Sequence, residues 1–166
     1  MTTTMAQPAS AISDLDEDAA MSVADALKII LADSYAIYLK TKNFHWHVSG
    51  PYFRDYHLLL DEQASEILAA TDAIAERARK TGNTTLRSIG DIARHQTIKD
   101  NDADFVTPKE MLAELRADNL HMVESLRRAK EVADLARDNA TSGLIDTWTD
   151  EAERRAWFLF EVGRPA

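Results

Sequence analysis

The sequence predicts an all-α fold, built as a bundle of four long helices. The chain of 166 residues contains only five Gly and four Pro, so long stretches run without a helix-breaking residue. Within those stretches, apolar residues recur every three or four positions, which is the period of a helix with one buried face. Because 45% of the residues are apolar, a single domain of this length can bury a sizeable core.

The first long helix is predicted from about Ser22 to Val48, with Ser22 as its N-cap and Asp25 in its first turn. Its core-facing residues alternate by three and four, as in the seam of a helical bundle. These seam residues are Leu27, Ile30, Ser34, Ile37, Thr41, Phe44 and Val48. Residues 1–20 lack this period and are rich in Ala, Ser, Thr and acids. We therefore expect a disordered acidic tail ahead of a bundle domain that spans residues 21–163.

The second long helix is predicted from Phe53 to about Lys80, after a Ser-Gly-Pro break at residues 49–51. One face of this helix is expected in the core and consists of Phe53, Tyr56, Leu60, Ile67, Ile74 and Ala78. A second stripe of polar residues is centred about 140° away from that face. The stripe consists of His57, Asp61, Asp72 and Glu76. These four side chains are therefore expected to point away from the chain's own core.

The second half of the chain is predicted to begin with a short extra helix between Thr85 and His95. It lies in a connection that is too long for a plain turn. The third long helix opens at Thr107, where Thr107, Pro108 and Glu110 have the spacing of a capping box with Pro at the first helical position. Its expected seam is Leu112, Leu115, Asn119, Met122, Leu126, Ala129, Ala133 and Ala136.

The fourth long helix is expected to begin with Thr141 as its N-cap and to end near Val162. Three acids lie near its start, and they are candidates for a pore that admits cations where subunits meet. These acids are Asp134, Asp138 and Asp146. A solvated helix face accounts for the same pattern equally well, so both interpretations stay open.

The polar stripe of the second helix has the spacing of two pairs of metal ligands. His57 and Asp61 are four residues apart, as are Asp72 and Glu76, which sets the side chains of each pair above one another. A single pair of this kind is more often a solvated helix face. Eleven residues separate Asp61 from Asp72, roughly 16 Å at about 1.5 Å per residue. One chain therefore cannot bring both pairs to the same ion, and a partner helix must do so.

An antiparallel copy of the same helix would bring the two pairs together. With a two-fold axis midway along the helix, His57 lies opposite Glu76 of the other copy and Asp61 lies opposite Asp72. An isologous dimer interface has this self-complementary pairing. The rest of the outward stripe is small or apolar, which suits a buried contact. These residues are Leu58, Ser65, Leu68, Ala69 and Ala75. The sequence thus predicts two identical metal sites per dimer.

A further ligand, His45, comes from the end of the first helix. The break at residues 49–51 should fold the second helix back beside the first, which places His45 and His57 at similar heights. The predicted set is His45, His57 and Asp61 from one chain, with Asp72 and Glu76 from the other. Imidazole and carboxylate ligands suit iron, manganese and zinc. We expect the oxidation of iron(II) at this site.

The same residues resemble the signature of the Dps family, the DNA-binding proteins from starved cells, which are mini-ferritins. His45-Trp46 is followed twelve residues later by His57, then by Asp61, and then by the D-x-x-x-E of TDAIAERA. The likeness covers nearly the whole chain after residue 20, including Trp-Phe-Leu at 157–159. By this resemblance, Trp46 matches the tryptophan beside the ferroxidase site of that family. The residues that match its ligands are His45, His57, Asp61, Asp72 and Glu76.

The resemblance implies a ferritin-like four-helix bundle with a short extra helix in the connection between the second and third long helices. It also implies a hollow dodecamer built from two-fold dimers. Ferroxidase sites between its subunits would oxidise iron(II), preferentially with hydrogen peroxide, and ferric mineral would be stored inside. The implied role is iron storage, detoxification and protection against oxidative damage. His47 stands where the family more usually has asparagine, and we give it no ligand role.

The charge balance argues against DNA as the main ligand. The chain has 28 acidic and 19 basic residues, for a formal charge of −9, and an acidic surface repels nucleic acid. The first basic residue is Lys28, and the only one in the last ten residues is Arg164. Relatives that bind DNA often use a Lys-rich terminus, so we expect weak or no DNA binding. The alternatives are a nucleoid-associated DNA-binding protein and a structural zinc-binding oligomer without redox activity.

The sequence also indicates the cellular compartment of the protein. The chain has no cysteine, which fits a reducing environment, and no stretch approaches the roughly 20 apolar residues of a membrane span. Residues 1–20 have neither a basic start nor a continuous apolar run, so a secretory signal is not expected. We therefore predict a cytoplasmic protein without membrane contact, with association to the nucleoid as the alternative.

Overall fold

The computed structural model describes residues 12–165 and confirms the all-α prediction. Its elements are α1 Glu17–His47, α2 Phe53–Lys80, α3 Ile89–His95, α4 Pro108–Leu135 and α5 Asn139–Val162. Helix α1 packs against α2 and α4 against α5, and the two hairpins meet through α1 and α4. The short α3 packs on α1. Among the residues described, no helix has the length and apolar character to cross a membrane.

The predicted seams of α1 and α4 form much of the core. All seven seam residues of α1 are buried, and so are seven of the eight in α4, while Ala136 at the C-cap is half-buried. A separate apolar cluster closes one end of the bundle and contains Phe44, Val48, Leu60, Met111, Leu112, Leu115 and Leu159. Because Phe44, Val48 and Leu60 belong to the α1–α2 hairpin, this cluster fixes the end of the hairpin that carries His45 and His57.

The predicted core face of α2 is correct over most of the helix and wrong in its first turn. Leu60, Ile67, Ile74 and Ala78 are buried, whereas Phe53 is 44% exposed and Tyr56 is half-buried. The Phe53 ring stacks on His57 one turn later, with ring centroids 5.0 Å apart. The reason is helical geometry, because residues four apart differ by only about 40° around the axis. Phe53 therefore lies at the edge of the core face that is nearest to His57.

Helix α1 begins five residues before the predicted start. Asp16 is the N-cap, and its carboxylate accepts a hydrogen bond from the Ala19 N–H at 3.1 Å. Ser22, our predicted N-cap, lies inside the helix, where its hydroxyl donates to the Asp18 carbonyl at 2.9 Å. The carboxylate of Asp16 satisfies the free N–H groups of the first turn before Ser22 is reached. Residues 17–20 are thus helical, and the predicted disorder of residues 1–11 lies outside the described residues.

Helix α5 also begins earlier than predicted, because Asp138 and not Thr141 caps it. Asp138 accepts a hydrogen bond from the Thr141 N–H at 3.0 Å and also accepts one from the Thr141 hydroxyl. Arg77 of α2 donates to the same carboxylate at 2.9 Å. Asp138 is only 3% exposed, so this buried carboxylate joins the α4–α5 turn to the end of α2. By contrast, the capping box predicted at Thr107 is present at the start of α4.

The long connection between α2 and α4 is anchored on α1 by one buried acid. Asp33 is fully buried and accepts hydrogen bonds from the Thr97 N–H and hydroxyl, each at 2.6 Å, and from the Ile98 N–H at 3.0 Å. Short helix α3 covers only Ile89–His95 of the stretch predicted from residue 85. The contacts of Asp33 hold the chain that follows α3 against the bundle.

Candidate metal centre

The turn between α1 and α2 brings two of the predicted ligands together. Gly50 has φ of 105°, a conformation that residues with a side chain rarely adopt, and its carbonyl accepts a hydrogen bond from the Phe53 N–H at 3.0 Å. The chain therefore reverses within a few residues, as the Ser-Gly-Pro break predicted. His45 on the last turn of α1 then lies beside His57 on the second turn of α2.

His45 and His57 are held by a reciprocal pair of hydrogen bonds. Nδ1 of His45 lies 2.7 Å from the carbonyl oxygen of His57, and Nδ1 of His57 lies 2.8 Å from the carbonyl oxygen of His45. Because a carbonyl oxygen only accepts, each Nδ1 carries the proton. The two rings stack with centroids 3.8 Å apart and an angle of 18° between their planes. The hydrogen bonds therefore occupy Nδ1 of each ring and leave Nε2 as the atom that would bind a metal ion.

Asp61 completes a group of three predicted ligands on one chain. Its Oδ1 atom lies 3.8 Å from Nε2 of His45, and its side chain is half-exposed. The same Oδ1 accepts a hydrogen bond from Nζ of Lys42 at 2.8 Å. This hydrogen bond from the Lys42 ammonium is the main cause that lowers the pKa of Asp61 below its ordinary value. Asp61 is therefore ionised at neutral pH, as a metal ligand must be.

The other two predicted ligands do not join this group within one chain. Asp72 and Glu76 are exposed residues on α2, and Asp72 lies eleven residues beyond Asp61. The only ion pair of Glu76 within residues 12–165 is with Lys80, one turn along the same helix, at 3.8 Å. In that described part of the chain, no group of three or more His, Asp or Glu side chains is arranged to hold a metal ion by itself. Any complete site would need ligands from elsewhere.

The outward face of α2 between the two ligand pairs is mainly apolar and exposed. Leu58 and Leu68 are each 41% exposed, Ser65 and Ala69 are also exposed, and Ala75 is half-buried. A run of small and apolar side chains on one helix face is typical of a surface that packs against another protein surface. This face is the one that the predicted two-fold axis would bury.

Comparison with known proteins shows the family of the chain. The family model of the ferritin-like domain matches residues 24–162, which is most of the chain. DNA protection during starvation protein 1 of Deinococcus radiodurans is 30% identical over 145 residues, which cover 87% of this chain and 70% of that protein. The chain belongs to the Dps family of ferritin-like proteins.

Two further matches cover nearly the whole of this Dps chain. An uncharacterized low temperature-induced protein of Nostoc sp. is 32% identical over 154 residues, which cover 91% of this chain and 86% of that protein. The crystal structure of an archaeal Dps homologue from Halobacterium salinarum aligns with a TM-score of 0.89 at 28% identity, covering 100% of this chain and 92% of that one. The predicted ferritin-like bundle is therefore confirmed.

The interior of this Dps bundle is occupied by an arginine. Arg155 of α5 is 7% exposed, and it donates to Asn119 of α4 and to Glu66 of α2, each at 2.8 Å. Glu151 lies nearby, and burial raises the pKa of its carboxyl. The guanidinium of Arg155 thus links three helices and places a positive charge of the protein itself inside the bundle. This agrees with the absence from the sequence of the E-x-x-H pattern that serves di-iron centres inside a bundle.

The three remaining histidines are each within hydrogen-bond distance of another group. His47 donates from Nδ1 to the Asn43 carbonyl at 2.7 Å, and His95 donates from Nδ1 to the Asp91 carbonyl at 2.9 Å. Nε2 of His121 lies 2.8 Å from the Thr97 hydroxyl. His47, to which we assigned no ligand role, is thus bound to its own helix one turn away.

Of the three candidate pore acids, one is unsuited to that role in this structure. Asp138 is buried and bound to Arg77, so it does not face solvent. Asp134 accepts from the Ser142 hydroxyl at 2.6 Å, and Asp146 pairs with Lys130 at 2.9 Å. Only Asp134 and Asp146 remain as candidates for a pore.

Sequence reasoning missed Lys42, which contacts the predicted site directly. It lies one helical turn before His45 and one turn before Trp46, so it shares their side of α1. That spacing was a usable signal. The contact itself joins α1 to α2 and so depends on how the two helices pack.

Proposed function

We propose that this Dps protein is an iron-storage and detoxification mini-ferritin that oxidises iron(II) at sites shared between two copies of the chain. The observation that carries the proposal is the reciprocal hydrogen bonding of His45 and His57. It leaves the Nε2 atoms of both rings free, and that of His45 lies 3.8 Å from Oδ1 of the ionised Asp61. Imidazole and carboxylate ligands of this kind suit iron(II) and leave positions for an oxidant.

The second half of each proposed site is the pair Asp72 and Glu76 of a second copy. Both side chains are exposed on the same helix as His57 and Asp61, and the face between the pairs is apolar. Under the two-fold relation, Asp72 approaches Asp61 and Glu76 approaches His57 at each end of the contact. We further propose that such dimers assemble into a hollow dodecamer in the cytoplasm, with ferric mineral inside.

The proposed reaction uses hydrogen peroxide as the preferred electron acceptor. Two iron(II) ions give up one electron each, and one peroxide with two protons becomes two waters. Because both electrons pass to the same peroxide, no hydroxyl radical is released. The chain's own part is to hold the iron ions close together with neutral imidazoles and ionised carboxylates. This chemistry would protect the cell against oxidative damage.

A binding role for DNA is the second candidate. It is favoured by the name of the Deinococcus relative, a DNA protection protein. The formal charge of −9 opposes it, since binding to phosphates depends on Lys and Arg. A third reading is a structural zinc site, because zinc accepts the same ligands without redox chemistry.

The deciding experiment measures particle mass and iron oxidation together. Protein held without oxygen is loaded with iron(II), then mixed with hydrogen peroxide, and ferric absorbance is followed. We expect faster oxidation than in protein-free buffer, in a particle of twelve 18.6 kDa chains. A monomer that oxidises iron would contradict the shared site. A stable oligomer that binds zinc but never speeds iron oxidation would instead support the structural alternative.

A further inference from the structure

The carboxylate of Asp61 already carries a cation, and that cation belongs to the protein. Nζ of Lys42 lies 2.8 Å from Oδ1 of Asp61, the atom that also lies nearest to Nε2 of His45. A metal ion bound between His45 and Asp61 would be coordinated by this same oxygen atom. The ammonium and the metal ion therefore compete for one side of one carboxylate.

Lys42 has a second position available to it. Its Nζ lies 5.9 Å from the centroid of the Trp46 ring, at the outer limit of a cation–π contact. In the single chain, Trp46 is 57% exposed and the Lys42 side chain is 19% exposed. A four-carbon side chain can rotate between the carboxylate and the ring without moving the helix.

We propose that Lys42 is a built-in competitor that sets which cations can occupy the site, holding Asp61 in the metal-free chain and moving towards the Trp46 ring when a metal ion binds. The proposal rests on the proposed function in one respect, that Asp61 is a metal ligand. It goes further by assigning a role in metal selectivity to a residue that coordinates nothing.

Competition by an ammonium raises the affinity that any metal ion needs in order to occupy the site. Iron(II), cobalt(II) and zinc bind imidazole well, so His45 and His57 add to their affinity and offset the loss of the lysine contact. Magnesium and calcium prefer oxygen ligands and gain little from imidazole. They must displace Lys42 with the carboxylates alone. Lys42 therefore weakens the binding of all divalent ions by a similar factor, and the occupancy of magnesium and calcium falls most because they bind most weakly.

The test uses cobalt(II) and magnesium as probes, so that binding is measured without oxidation. The assembled protein is titrated by calorimetry at neutral pH in wild-type form and as Lys42→Met, Lys42→Gln and Lys42→Arg. Without the ammonium, the Kd for cobalt(II) should fall about fivefold, because the metal ion no longer has to break a partly exposed ion pair. The Kd for magnesium should fall by a similar factor. Lys42→Arg keeps a cation in reach of Asp61 and should behave like the wild type.

Lys28→Met is the matched control. Lys28 pairs with Asp25 on the first half of α1 at 3.2 Å, and its replacement lowers the net charge by the same amount. If Lys28→Met tightens cobalt(II) binding as much as Lys42→Met, overall charge is the cause and the proposal is overturned. Melting temperatures of all variants check the fold. Methionine is a good helix former of similar length, and glutamine provides a second neutral replacement.

Tryptophan fluorescence gives a readout that a merely structural role would not change. Cobalt is replaced by zinc here, because zinc does not itself quench emission. Zinc should alter the emission of Trp46 in the wild type, as the ammonium approaches the ring, and this change should be smaller in Lys42→Met. The Trp46→Phe variant supplies the background from the other two tryptophans. Equal changes in wild type and Lys42→Met would overturn the movement of Lys42.

The calorimetric outcomes separate this proposal from the proposed function. A wild-type protein that binds cobalt(II) no more tightly than the His57→Ala variant would remove both. A wild type that binds tightly, with the two neutral Lys42 variants binding equally or more weakly, would overturn the competitor role and leave the shared metal site standing. Tighter binding in both neutral variants, with Lys42→Arg unchanged, supports the competitor role.

Discussion

His45 and His57 orient each other through their main chains, since the Nδ1 atom of each donates to the carbonyl oxygen of the other at 2.7 and 2.8 Å. The main-chain carbonyl of a residue is retained when the side chain of that residue is substituted. Replacing His57 therefore removes one imidazole and leaves the acceptor that orients His45. Substitutions at this pair should report on metal binding with little disturbance of the remaining ligand.

The first prediction concerns the ligands on one chain. His57→Ala combined with Asp61→Asn should slow iron(II) oxidation by at least about tenfold, because two donors to the iron are lost. Stopped-flow measurement of ferric absorbance after peroxide addition checks this. Glu62→Gln, on the next position of the same helix, is the control and should keep the wild-type rate. An unchanged rate in the double variant would remove these residues from the site.

The second prediction tests whether each site takes ligands from two chains. A chain with His57→Ala and Asp61→Asn is mixed in denaturant with a chain carrying Asp72→Asn and Glu76→Gln, and the mixture is refolded. A mixed dimer then has one intact site and one site that lacks all four of the substituted ligands. With random pairing, about a quarter of the wild-type sites return. Each variant refolded alone is the control, and a mixture as inactive as both would rule out sharing.

The third prediction concerns the apolar face of α2. Leu68→Lys should weaken the dimer, because Leu68 lies beside the proposed two-fold axis, where a buried and unpaired charge is costly. Analytical ultracentrifugation across a range of protein concentrations checks the shift towards smaller species. Leu120→Lys is the control, since Leu120 on α4 is exposed to nearly the same extent, 39% against 41%. If both variants assemble like the wild type, α2 is not the dimer face.

The fourth prediction uses the buried lysine of α1. Lys40 is 5% exposed and pairs with Asp118 at 2.8 Å and Glu114 at 3.0 Å. Burial raises the pKa of Asp118, and Lys40 acts against that rise. Lys40→Met should therefore raise this pKa further and lower the free energy of unfolding by about 2 kcal/mol at pH 7, less than for a fully buried pair because Glu114 is partly exposed.

The pH dependence of that variant follows from the same shift. A carboxyl whose pKa is raised by folding destabilises the folded state while it is ionised, and the cost disappears as the pH falls through the folded pKa. The difference between Lys40→Met and wild type should thus narrow as the pH is lowered from 7 towards the ordinary pKa of an aspartate. Urea unfolding at fixed protein concentration checks this, with Lys28→Met as the control, because Lys28 is only half-buried. A difference that stays constant or widens in acid would contradict the assigned role of Asp118.

The fifth prediction concerns DNA. A gel shift with linear duplex should show weak or no binding at physiological salt, because the acidic chain offers few cations to the phosphates. Titrating the salt downwards distinguishes electrostatic from other binding. A Dps relative with a Lys-rich terminus serves as the positive control. Retention of the DNA at physiological salt would make the nucleoid-associated alternative the better account.

Local patterns in the sequence were sufficient to predict most of the fold. The four long helices follow from apolar periodicity, and the buried seam from Leu27 to Val48 was predicted residue by residue. The capping box at Thr107 was also predicted, because it depends only on residues three positions apart. The juxtaposition of His45 and His57 followed from the turn at residues 49–51.

The errors arise where several residues could make the same contact. Asp16 and Ser22 are both good N-caps, and only the structure shows that Asp16 caps α1. Asp138 replaces Thr141 at the start of α5 because it also binds Arg77 of a distant helix. The contact of Lys42 with Asp61 was missed for a related reason, because it joins two helices and depends on how they pack.

The separation of the two ligand pairs along α2 has a consequence for newly synthesised protein. On the proposed arrangement, a nascent subunit carries no complete centre and is inert towards ferrous ions and peroxide. Reactivity appears only when two subunits meet, so its onset follows second-order kinetics in subunit concentration. Iron turnover is thereby confined to the assembled particle, where the ferric product can be enclosed.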